Sequence, residues 1–158
     1  SASPATVIPQ LHPEFTLAGR VWRNSCVYTS KYQQSRQEFS RCNAFALYEL
    51  ARAGASGQIV REMFFGETQF FIHYQHEGDR RILAVVRFYK DVKKSRNQFP
   101  VLMKKPMEQG MLAVVDVDGL VSTAGLLPSV ESDKRFHIIW PYGNAMQNTK
   151  FGNPARLA

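Results

Sequence analysis

Four groups of side chains in this 158-residue chain have types and spacings that bear on chemistry. His73 and His76 stand three apart in FIHYQH. A metal pair on a strand needs same-face spacing, i and i+2, so these two fall on opposite faces and are expected to be hydrogen-bonded histidines beside a turn. Asp116 and Asp118 in VVDVDG do have same-face spacing, which suits a divalent ion of the kind nucleases use. A two-metal site needs further acids close by, and the chain has only thirteen; DVDG equally suits a strand entering an Asp-Gly turn. Cys26 and Cys42 are too few for a disulfide scaffold, and too few for zinc without histidines. No Gly-x-Ser-x-Gly elbow or glycine-rich phosphate loop accompanies them, so two buried thiols in a reducing compartment are expected. No metal and no cofactor is expected, and the balance leans away from an enzyme.

The fourth group is cationic. The net charge is +7, and its distribution decides more than its size. Residues 1–79 carry seven basic and seven acidic side chains; residues 80–158 carry thirteen and six, so the whole excess lies in the second half. Within window 80–105, Arg80, Arg81, Arg87, Lys90, Lys93, Lys94, Arg96, Lys104 and Lys105 face a single acid, Asp91. That footprint favours a polyanion, with nucleic acid ahead of an anionic membrane; the alternative is a solvated basic face. No helix-turn-helix or zinc finger is present, so phosphate contact without base reading is the expectation.

These side chains need a scaffold, and the pattern is β. Residues 58–65, 69–76 and 81–89 are strand-length runs rich in Ile, Val, Phe and Tyr, separated at Gly66-Glu67-Thr68 and Glu77-Gly78-Asp79; they predict a meander. Residues 18–29 predict two strands broken at Asn24, and 30–41 a short helix or surface loop. Residues 43–53 have a helix-like composition but an alternating pattern, and are assigned to a strand. Residues 111–117, 120–128 and 136–140 complete the set, with 90–106 as a long polar loop. The sum is an all-β domain of seven to eight short antiparallel strands, a barrel or a sandwich. An extended arm is expected over 1–17, the barrel over 18–143 and a loose tail over 144–158. Adjacent rings, as in Phe64-Phe65, Phe70-Phe71 and Phe88-Tyr89, put one aromatic on each sheet face. Rings on a face left uncovered could stack bases or surround a methylated ammonium.

No run approaches the roughly 18 apolar residues of a membrane span, and no charged-then-apolar leader is visible. From the start at Ser1-Ala2-Ser3 without Met, a processed or excised fragment is expected. A nuclear or cytoplasmic, non-secreted protein is expected.

The succession GQIVREMFF, LAVVRFYKDV, MLAVVDVDGLVSTAGLLP and FHIIWPY, over roughly residues 18–142, resembles a β-rich domain of fungal transposable-element proteins. Through it the chain is similar to bromo-adjacent homology (BAH) domains of chromatin proteins. The resemblance implies a single SH3-like, BAH-like barrel and a non-catalytic module that binds nucleic acid or nucleosomes, and other protein chains as possible partners. No aromatic-cage residue matches position by position. The rival expectations are a metal-dependent nuclease on Asp116 and Asp118, and a protein–protein or capsid-type structural module.

Overall fold

In chain order the elements are β1 (Glu14–Ala18), β2 (Arg20–Arg23), β3 (Cys26–Thr29), a one-turn helix α1 (Lys31–Gln34), β4 (Phe45–Ala53), β5 (Ile59–His76), β6 (Asp79–Tyr89), β7 (Val92–Lys94), β8 (Pro100–Leu102), β9 (Gly110–Asp116), β10 (Leu120–Thr123), β11 (Gly125–Pro128) and β12 (Phe136–Ile139). Short 3-10 turns follow at Val117–Gly119 and Pro154–Leu157. The computed structural model describes residues 12–34, 44–94, 100–102, 110–130, 135–139 and 150–157. The all-β expectation holds for them.

Strand β5 organises the rest. It runs for 18 residues without interruption, so the turn expected at Gly66-Glu67-Thr68 does not exist. Gly66 is there for close packing. A Cβ at this position would lie 2.6 Å from Val86 Cγ1 and 2.8 Å from the Arg87 carbonyl oxygen. The irregularity in β5 comes three residues later, where the pairing shifts between Thr68 and Phe70 and leaves Gln69 as a bulge.

Around β5 the main sheet has the order β10-β4-β5-β6-β9, all antiparallel, and β1 pairs with the far half of β5 where β4 has ended. No pairing among the described residues joins β9 to β10, so this sheet stays open. The expected boundary after residue 17 falls inside β1. Two tight hairpins match the sequence: Asn24 and Ser25, both at positive φ, turn β2 into β3, and Glu77 and Gly78, also at positive φ, turn β5 into β6.

A second sheet has the order β11-β12-β8-β7. Its β7 and β8 come from the stretch expected to be one long loop. Asp91, at φ 61°, reverses the chain after β6, and Val92 then packs against the cluster that holds Tyr89. One apolar residue among the lysines is enough to anchor the short strand.

The alternation of β5 and β6 makes two cores. On one face of the main sheet, Tyr48, Phe64, Phe71, Val86 and Phe88 are buried under Val21 and Tyr28 of the β2–β3 hairpin. Each such burial contributes about 1.5–3 kcal/mol. On the other face, Leu47, Met63, Phe65 and Tyr89 pack against Ala124 and Ile138. The second sheet covers only one half of that face. Outside that cover, Phe15, Leu17, Leu112 and Val114 are exposed.

The expected loose tail is also partly built in. The Met63 N–H donates to the Lys150 carbonyl at 2.9 Å, and the Gly152 N–H donates to the Met63 carbonyl at 2.9 Å. This short parallel contact occupies the β5 edge where β6 has run out, and Leu157 packs against the hairpin-side core.

Candidate functional site

Strand β6 carries the first expected cations, and its alternation separates them. Arg80 is opposite Gln75 and Arg81 opposite Tyr74, so the two arginines leave the sheet on opposite faces. Arg81 Nε donates to Asp79 Oδ2 at 2.9 Å. Arg80 is exposed and makes no ion pair among the described residues. Arg87 lies seven positions on, about 23 Å along the strand. It packs so closely over Gly110 that a Cβ there would strike its side chain. Lys90 and Lys93 are exposed beyond the end of β6, and Lys94 takes the next position of β7. Arg96, Lys104 and Lys105 lie outside the described residues. The described cations thus follow β6 and turn into the second sheet; they do not meet at one point.

The hairpin end of β6 is different. Two open clefts, of about 460 and 510 Å³, share Arg80, Arg81 and Ile82. The first extends across β5 and β1 past His73, Gln75 and Thr16. The second extends past Trp22 and Arg23 to Asp116 and Asp118. Trp22 points outward because its neighbours Val21 and Tyr28 take the inward positions of the hairpin, and its ring is 77% exposed. Arg23 fixes the hairpin in place: Nη1 donates to Asp118 Oδ1 at 2.7 Å and Nη2 to the Asp118 carbonyl at 2.9 Å. The Arg23 Nε is buried and has no hydrogen-bond partner. Arg23 was missed by sequence reasoning. Its only signal is adjacency to the Asn24-Ser25 turn, and its partner is 95 residues away.

The carboxylates of the nuclease expectation are occupied. Asp116 Oδ1 accepts from the Asp118 N–H at 2.8 Å and caps the turn after β9, while Asp118 holds Arg23. That is the turn role the DVDG pattern allowed. Among the described residues, no three His, Cys, Asp or Glu side chains gather in a metal-binding group. His73 and His76 fall on opposite faces, as their spacing requires; His76 Nε2 lies 3.7 Å from Glu77. Cys26 is exposed, which corrects the expectation of a buried thiol: β3 carries it near the hairpin turn, outside the core. Cys42 lies outside the described residues.

Titration shifts belong to the scaffold. Burial pushes the Tyr48 phenol well up, partly opposed by its bond to Thr68. Burial raises Tyr89 too, helped by Glu67. The guanidinium of Arg52 donates to both oxygens of Glu62, at 2.9 and 3.1 Å, and holds that carboxyl below the usual range; Arg156 and Lys150 add to the effect.

A third cleft, of about 410 Å³ and mostly apolar, opens on the uncovered sheet face between Tyr32, Phe70, Val85 and Leu112, with Lys31 and Arg87 beside it. Among the described residues no helix is long and apolar enough to cross a membrane. No protein-family model matches the chain, and neither a curated protein nor a solved structure matches it significantly.

Proposed function

We propose that this domain is a non-catalytic nucleic-acid-binding module, with Arg80 as the centre of its phosphate contact. One observation carries the reading: Arg80 is exposed, without an acid partner among the described residues, and stands where two open clefts meet. The excess charge of the chain, all of it after residue 79, supports the same polarity of partner. Arg87 leaves β6 on the face opposite Arg80, so with Lys90, Lys93 and Lys94 it offers a second stretch of phosphate contacts, separate from the one at Arg80. The resemblance to BAH-like domains adds a setting: chromatin or a transposable-element protein, a nuclear location, and nucleosomes or other chains as partners.

The test is salt-dependent binding of random-sequence DNA, followed by fluorescence anisotropy. Affinity should fall with salt at a slope of about −0.9 per duplex phosphate neutralised. Arg80→Glu should weaken binding and flatten the slope with the fold intact. Lys93→Glu combined with Lys94→Glu should do so to a smaller extent. Absence of binding in dilute buffer sinks the reading.

A second reading, a protein–protein module, is favoured by one specific feature. The uncovered face of the main sheet exposes two apolar pairs, Phe15 and Leu17 on β1 and Leu112 and Val114 on β9, at opposite flanks of β5 and β6, and exposed apolar surface is where partners dock. Sizing across a concentration series at low and high salt separates self-association through this surface from the first reading, because apolar association does not weaken with added salt as phosphate contact does. The nuclease reading loses ground because both of its carboxylates hold the turn and the hairpin.

A further inference from the structure

We propose that the cleft between Trp22 and Arg80 takes single-stranded nucleic acid, one base lying on the Trp22 indole and a neighbouring phosphate on Arg80. This rests on the nucleic-acid reading and narrows it.

The indole is the first ground. A ring of this size is normally put to use by burial, and Trp22 keeps 77% of its surface open on a regular strand. The hairpin beneath it is rigid: Val21 and Tyr28 are buried, and Arg23 clamps the strand to Asp118. The ring is therefore presented in a fixed place, and a base that stacks on it does so at little ordering cost.

Charge inside the cleft is the second ground. Three arginines and three aspartates line it, but most cancel. Arg23 is satisfied by Asp118 and Arg81 by Asp79, which leaves Arg80 as the arginine of the cleft with no acid partner among the described residues. A single free cation suits one phosphate at a time. A duplex would press a second row of phosphates toward Asp116, the carboxylate of this cleft with no arginine on it among the described residues, and its stacked bases would offer no face to the indole. A plane of anionic headgroups would meet the same carboxylate.

Continuity is the third. The first cleft, beyond Arg80, runs on across β5 and β1 past His73 and Thr16, so a strand anchored at Trp22 has a path over the sheet. Each cleft has a volume typical of small-ligand sites, about 300–1,000 Å³.

The experiment compares labelled oligothymidine of 15 residues, a 15-base-pair duplex and phosphatidylserine vesicles, with wild type, Trp22→Ala, Trp22→Phe and Arg80→Gln. Circular dichroism checks that each variant is folded. The expected result is at least tenfold preference for the single strand. Trp22→Ala should lose about five- to a hundredfold of that affinity, the worth of one stacked base. Trp22→Phe should recover part of it, and duplex binding should be unmoved by either. Equal binding of single strand and duplex, with Trp22→Ala neutral on both, overturns this proposal and leaves the nucleic-acid reading standing. Capture by vesicles without oligothymidine binding overturns this proposal, and failure to bind any nucleic acid overturns both.

Discussion

The hydroxyls of Tyr48 and Thr68 are 2.7 Å apart and buried, and their bond ties β4 to the point where β5 changes register. Thr68 is the last residue before the bulge, and its N–H also donates to the Ala44 carbonyl at 2.8 Å. The two bonds hold the bend in the strand that both cores share. Tyr48→Phe should cost about 1–2 kcal/mol, and Thr68→Val a similar amount, since each leaves a buried hydroxyl without its partner. Removing both should cost less than the sum. Urea unfolding of the two single variants and the double measures this; strict additivity would mean that the hydroxyls do not depend on each other.

Gly66 predicts a packing penalty. A methyl group there meets Val86 and the Arg87 main chain, which cannot swing away as a flexible side chain could. Gly66→Ala should destabilise the protein by about 1–3 kcal/mol, as overfilled cores do. An unchanged midpoint in chemical denaturation would show that β5 and β6 separate at no cost.

The Arg52–Glu62 pair predicts a pH dependence with a definite sign. The folded carboxyl is held below its unfolded value, chiefly by the Arg52 hydrogen bonds. Its contribution to stability is complete above the ordinary carboxylate pKa and disappears as pH falls through the lower folded value. Melting temperature should therefore drop on acidification, and Glu62→Gln should remove this part of the drop while lowering the neutral-pH plateau. Parallel pH curves for wild type and Glu62→Gln would contradict it.

Divalent ions should leave the protein's melting temperature where it is, because Asp116 and Asp118 already serve the turn and Arg23. Asp116→Ala should instead cost about 0.5–2 kcal/mol, the usual worth of a lost cap. A clear upward shift with magnesium or manganese, abolished by Asp116→Ala, would restore the nuclease reading.

Much of the scaffold is legible in the residues themselves. The alternation in β6, the Glu77-Gly78 turn and the Asn24-Ser25 break are local signals, and local signals survive into the structure. What the sequence hides is relational. Gly66 looks like a turn residue until Val86 is placed beside it, and the lysine-rich stretch looks like a loop until Val92 finds Tyr89. The site behaves in the same way. Counting cations locates Arg80, but only the folded chain brings it to a cleft with Trp22, while Arg81, its immediate neighbour, leaves from the opposite face and is neutralised by Asp79.

Residue 63 takes its main-chain partners from residues 150 and 152, nearly ninety positions later. During translation, the central strands emerge long before the segment that seals this flank. Until residues 150–152 have emerged, a nascent chain therefore has an unsealed backbone edge at Met63, where a foreign strand can insert, and their arrival ends that hazard.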